Sequence, residues 1–248
     1  MRILLASDLH YSLRQFDWLV AAAPEVDLVV LAGDHLDISS SVELDAQIVV
    51  ILRYLELLQQ STKVVVSSGN HDLTGADAND ERAALWLDEA RAGGVPTDGD
   101  SILIGDTLVT VCPWWDGPEG RRAVEAQFDR DAAQRPARWV WVYHWPPVGS
   151  PTCWTGKQHY GDPDVLGWIE RHQPDIVLTG HVHEPPFKPE GSWCDRIGRT
   201  WVFNPGRQGG ATPTRVEIDL DAGEAVGFSL MGIESIQRDG PVPVRAAG

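Results

Sequence analysis

The sequence predicts an α/β fold, and two observations carry that reading. Short, β-branched apolar runs alternate with longer stretches of helical periodicity, and five polar motifs follow such runs in order. A strand that ends in a cluster of polar residues is where an open α/β sheet presents its ligands.

The strands are read as Ile3 to Ala6, Leu28 to Ala32, Val64 to Val66, Leu108 to Val111, Trp139 to Tyr143 and Ile176 to Leu178. Each is short, apolar and bounded by polar or turn residues, the pattern of a strand buried on both faces. Between them Val42 to Leu58, Asp80 to Ala92, Glu119 to Ala133 and Pro163 to His172 read as helices. Asn79 suits the N-cap of the second, and Gly93-Gly94 its stop. These connections suit βαβ units. After Gly180 the chain becomes a Pro-rich loop, then strand-like at Trp201 to Phe203, Arg215 to Leu220 and Ala225 to Leu230, with Asp221-Ala222-Gly223 as a hairpin signal. A single domain over residues 1–239 is expected, with a frayed or loosely docked tail over 240–248, where Pro, Val and Ala show no periodicity.

Composition limits the function. The three cysteines, Cys112, Cys153 and Cys194, show no disulfide or thiolate-zinc spacing, so a reducing, cytoplasmic setting is expected. No stretch reads as a signal peptide or a membrane span. The net charge of −16 argues against nonspecific binding to a nucleic acid polymer, which relies on Lys and Arg releasing counterions. The same charge does not exclude a small anionic substrate held at a local site.

The five motifs are Asp8-Leu9-His10, Gly33-Asp34-His35-Leu36-Asp37, Gly69-Asn70-His71-Asp72, His144 and Gly180-His181-Val182-His183. Singly each has an ordinary structural explanation: Asp8 could cap a turn, Gly33-Asp34 could end a strand, and Gly69-Asn70 is a common turn pair. In this order they supply carboxylate, imidazole and amide ligands, a set that suits manganese, iron or zinc. The ordered set resembles that of the calcineurin-like metallophosphoesterases, and it is complete from residue 8 to residue 183.

That resemblance implies a four-layer αββα sandwich, two facing mixed sheets with helices outside and a dinuclear metal site at the C-terminal edge of the sheets. The apolar pattern alone does not distinguish this from a single doubly wound sheet. The resemblance assigns Asp8, His10 and His183 to one ion, Asn70, His144 and His181 to the other, and Asp34 to both. A shared carboxylate lets two cations sit about 3.5 to 4 Å apart, and a water held between them would lose a proton and become the nucleophile for in-line attack on a phosphoester. His71 is similar to the family histidine that donates a proton to the leaving oxygen, with Asp37 as the carboxylate that orients it. Asp72 is expected to support the loop.

Outside the motifs, Trp115, Trp145, His159 and Arg207 are candidates for substrate contact. Aromatic faces near a phosphate site can stack an aromatic group, and a guanidinium matches phosphate geometry. His35 and His172 lie outside the ligand pattern, and His172 at a helix end suits a dipole partner. Protein serine/threonine phosphatases of this family place Arg after the second Asp of the Gly-Asp motif and end the next motif in Glu. Here those residues are Ile38 and Asp72, which argues against that branch. His144-Trp145-Pro146-Pro147 is similar to the His-His-Pro-Pro of bacterial cyclic-nucleotide phosphodiesterases, with Trp in place of the second His. The expected function is hydrolysis of a small phosphodiester. The alternatives are a phosphomonoesterase or nuclease of the same family, or a non-catalytic scaffold, against which the presence of His71 argues.

Overall fold

A computed structural model describes residues 1–135 and 137–243. Fourteen strands and five α-helices are described. The strands are β1 (Arg2–Ala6), β2 (Leu28–Ala32), β3 (Lys63–Ser67), β4 (Gly75–Ala76), β5 (Arg82–Ala83), β6 (Ser101–Ile104), β7 (Thr107–Val111), β8 (Arg138–Val142), β9 (Ile176–Leu178), β10 (Cys194–Ile197), β11 (Thr200–Phe203), β12 (Arg215–Asp219), β13 (Glu224–Ser229) and β14 (Gly232–Gln237). The helices are α1 (Leu13–Ala22), α2 (Leu44–Gln59), α3 (Leu87–Ala92), α4 (Pro118–Gln134) and α5 (Pro163–His172).

Two mixed six-stranded sheets form, in the orders β14-β13-β12-β1-β2-β3 and β10-β11-β9-β8-β7-β6. In each, the parallel centre follows from strand–helix–strand crossovers, β1 to β2 to β3 in the first sheet and β7 to β8 to β9 in the second. Successive side chains on a strand point to opposite faces, and this divides the apolar runs into three layers. Ile3, Leu5, Val30 and Val65 of the first sheet meet Val109, Val140, Leu178 and Phe203 of the second in one inter-sheet core. Leu4, Val29, Leu31 and Val64 turn outward against Phe16 and Leu19 of α1 and Ile51, Leu55 and Leu58 of α2. Trp139, Trp141 and Val177 turn outward against Val124 and Phe128 of α4 and Val165 and Ile169 of α5. The result is the expected αββα sandwich, and it explains why the strands read as continuous apolar runs.

One expectation is corrected. The helix expected from Asp80 with an Asn79 cap begins only at Leu87, and Arg82–Ala83 instead pair with Gly75–Ala76. The cause is local: the Asp77 carboxylate accepts the N–H groups of Asn79 and Glu81, closing a turn in which Asp80 has φ +64°. Glu81 is also drawn away, its carboxylate accepting the N–H groups of Glu119 and Gly120 at the start of α4, where orphan donors favour an anion. The helix α1 and the strands β6, β10 and β14 were not anticipated. Of the tail, Val242 packs against the inter-sheet core, whereas 244–248 lie outside the described residues. No described helix is long and apolar enough to cross a membrane.

Candidate metal centre

All five motifs meet at one edge of the sandwich because the parallel strands end there together. Asp8 and His10 follow β1, Asp34 follows β2, Asn70 and His71 follow β3, His144 follows β8, and His181 and His183 follow β9. The loops continue the strand pairing beyond the sheet: Asp8 N–H donates to Gly33 O, His10 N–H to Asp34 O, and Gly180 N–H to His144 O. Between the two sheets, the His181 N–H donates to both carboxylate oxygens of Asp8, at 3.0 Å each.

The backbone is bent to bring these side chains together. Asp8, His10, Asp34 and His181 have φ of +55°, +42°, +56° and +68°, a region that non-glycine residues seldom occupy and that clusters at functional sites. Gly69 is required for space: a Cβ there would lie 2.2 Å from Asp34 Oδ1 and 2.7 Å from His144 Nε2. Asp72 holds the two ligand-bearing loops in register. Its Oδ2 accepts the N–H groups of Asp34 and Gly69 at 2.8 Å, and its Oδ1 those of His35 and Leu36 at 2.9 and 3.0 Å. Asp72 therefore supports the loops, as expected.

Three overlapping sets of potential ligand atoms emerge, the atoms of each lying within 4.8 Å of one another. They are Asp8, His10 and His183; His10, Asp34 and His71; and Asp34, His144 and His181, and the first and last of them divide the site into two halves. Asp34 Oδ2 stands between them, 3.7 Å from His10 Nε2 and 3.4 Å from His144 Nε2. His183 Nε2 lies 3.2 Å from Asp8 Oδ1 and 3.4 Å from His10 Nε2.

Burial makes this arrangement costly unless a cation joins it. Asp8, Asp34 and His144 are at most 2% exposed. Burial opposes ionisation of Asp34, but the facing His144 charge and the His71 N–H hold its carboxyl well below the usual range, and against the same burial His183 and His144 lower Asp8. Burial would also push the His144 imidazole down, yet the facing carboxylates of Asp34 and Asp8 carry it up to about 9. A proton and a metal ion compete for that same Nε2. Its Nδ1 lies 2.6 Å from Ala32 O, and a proton held there would orient Nε2 into the site as a ligand. Burial brings His10 down to about 4 and His181 to about 3, so both offer neutral lone pairs near pH 7. The Nε2 atoms of His144 and His181 and the Oδ1 of Asn70 are buried without hydrogen-bond partners among the described residues. Orphaned acceptors converging on two carboxylates fit a pair of transition-metal ions.

The other expected residues are placed unevenly. His71 adjoins the centre, its ring 4.6 Å from that of His10 and its N–H donating to Asp34 Oδ1. Asp37 does not orient it: the Asp37 carboxylate accepts the Ser39 N–H in a local turn, and His71 Nδ1 has no partner among the described residues. Arg207 reaches the site, with Nε donating to Asp8 O at 3.1 Å. Trp145 lies 5.4 Å from the His181 ring, whereas Trp115 packs into the outer cluster of α4 and α5. Its neighbour Trp114 takes the place expected of it, stacked at 5.1 Å on Trp145 and 5.0 Å from His181. Tyr160 completes this wall at 5.3 Å from His181. His159 instead faces Trp154 and Ser150 within its own loop. A pair of adjacent tryptophans after a strand marks the region, but not which one turns inward.

The sequence matches the calcineurin-like phosphoesterase family over residues 1–185. Among solved structures, TT1561 of Thermus thermophilus is similar with a TM-score of 0.61 at 18% identity, over 96% of this chain and 98% of that one. A dimetal phosphatase from Danio rerio has a TM-score of 0.58 at 14% identity, over 96% and 99% of the two chains. Purple acid phosphatase PPD1 of yellow lupin has 0.58 at 12% identity, over 98% of this chain and 52% of its own. No curated protein matches the chain. The structural likenesses at these identities speak to the fold alone. The match over residues 1–185 places the protein, with its candidate metal-ligand groups at the sheet edge, in the calcineurin-like phosphoesterase family, as a phosphoester hydrolase.

Proposed function

We propose that this protein hydrolyses a small phosphodiester carrying an aromatic or apolar group, using two transition-metal ions, manganese, iron or zinc. The observation that carries the metal reading is the convergence of Asp8, His10 and His183 beside Asp34, His144 and His181, with the orphaned Asn70 Oδ1 at the same loops. Ions bound there would polarise a phosphoryl oxygen and activate water. Asp34 would serve both ions, and Asn70 would complete the set around His144 and His181.

Arg207, anchored through Nε on Asp8 O, leaves its Nη groups for a phosphoryl oxygen. His71 is the group to protonate the leaving oxygen. Trp114, Trp145 and Tyr160 form an aromatic wall beside His181, which favours a flat or apolar ester group over a polymer. The acidic surface supports the same preference. Three free buried cysteines suit a reducing, cytoplasmic setting, and the core shared by both sheets suits a single domain over 1–239.

Hydrolysis of bis-esters, monoesters and long DNA by wild type and Trp145→Ala tests the substrate reading. The bis-ester is expected to be preferred, with the variant raising KM and leaving kcat nearly unchanged, the mark of lost uniform binding. Efficient degradation of long DNA, or an effect on kcat alone, would overturn it in favour of a nuclease.

A further inference from the structure

The sequence Asn204-Pro205-Gly206-Arg207 lies after β11, beyond the last metal motif. Residue type alone draws attention only to Arg207 in this stretch. The structure gives Asn204 a larger part. Its side chain is fully buried and its hydrogen bonds all go to backbone. Nδ2 donates to Thr152 O at 2.9 Å and to Gly180 O and Val182 O at 3.0 Å each. Oδ1 accepts the Gly206 N–H at 2.8 Å.

The two carbonyls at Gly180 and Val182 belong to the peptide units immediately before His181 and His183. One amide group therefore grips both sides of a segment in which His181 is held at φ +68°, a conformation its own sequence does not favour. The same amide ties down Gly206, at φ +66°, where a Cβ would lie 2.7 Å from His183 O. The turn continues this bracing, for Arg207 N–H donates to His183 O. Gln15, buried in α1, donates from Nε2 to Gln208 O and Gly210 O on the far side. Ligand segment and phosphate-binding arginine are thus set relative to each other through a single side chain.

We infer that Asn204 is a positioning residue for the metal centre, acting through the backbone of the His181–His183 segment and through Arg207. This rests on the reading of His181 and His183 as metal ligands. Groups that fix ligands from behind typically contribute about ten- to a hundredfold to metal affinity.

The test compares Asn204→Asp with Thr214→Val in the full chain. The aspartate keeps the size and the acceptor for Gly206 but replaces the donor to three carbonyls. Thr214→Val removes only the buried hydroxyl bond to Gly206 O, 2.6 Å long, and serves as a control for ordinary destabilisation of the same loop. Cobalt titration is read by visible absorption and calorimetry, with apo-protein melting measured alongside. Wild type is expected to bind two cobalt ions, Asn204→Asp to lose about ten- to a hundredfold in affinity with an altered absorption band, and Thr214→Val to stay within about twofold. Asn204→Ser carries the same expectation should the aspartate variant fail to fold. Unchanged cobalt affinity and spectrum in a folded Asn204 variant, whatever its melting temperature, would overturn the inference. An absence of cobalt binding by wild type would instead overturn the metal reading beneath it.

Discussion

Replacing Asp72 by asparagine removes one of the two oxygens that bind the Asp34 loop to the Asn70 loop. In the native site each oxygen accepts two backbone N–H groups, from Asp34 and Gly69 on one side and His35 and Leu36 on the other. The asparagine keeps one oxygen and turns an NH2 group toward the other pair of donors, so two buried N–H groups lose their acceptor. Burial pushes the Asp72 carboxyl up, which offsets part of what its charge contributes, so the lower end of the range for charged hydrogen bonds applies. At about 1.5 kcal/mol for each of two bonds, the expected loss is about 3 kcal/mol. For a chain of this size that corresponds to a melting temperature lower by about 6 to 12 °C. The measurement belongs on chelated protein, because a bound ion adds its own stabilisation and would mix lost metal affinity with lost hydrogen bonding. A shift below about 2 °C would refute the reasoning, since it would mean that the donors left behind find water or other acceptors at little cost.

Two further outcomes probe the chemistry. Asp34→Asn should lower metal content below two ions per chain and abolish most turnover, as measured by elemental analysis after dialysis alongside an activity assay, because on the proposed reading its carboxylate would be shared by both cations; full retention of both ions with normal turnover would exclude that role. His71→Ala should reduce turnover by about a hundredfold for esters with poor leaving groups and by less for an activated aryl ester, which scarcely needs a proton. Equal losses on the two substrates would reassign His71 to holding the phosphate.

The place of the candidate ligand residues at the sheet edge was legible because each follows an apolar strand, and strand ends are what periodicity locates best. Leu28 to Ala32 and Ile176 to Leu178 were read with their observed bounds, and the polar residues after them could only lie at the sheet edge. The helix expected from Asp80 failed for a nearby reason, since a favourable N-cap residue at Asn79 lost to the Asp77 turn and to the capping of α4 by Glu81. The Asp37 dyad failed for another. Its carboxylate has a closer donor in Ser39, two residues away, and proximity along the chain to a motif does not aim a side chain.

By itself the sequence determined the α/β class, the order of the metal motifs and the chemistry of their donors, because these depend on residue type and on spacing within single strands and loops. Only the tertiary structure decided how the strands divide into two sheets, since strands that are apolar on both faces carry no mark of which layer each face will meet. It also decided that Trp114 rather than Trp115 faces His181, and that Asn204 braces the histidine segment from a loop on the far side of two further strands. Those contacts join elements that are distant in the chain, and their energies exist only once both sheets have packed.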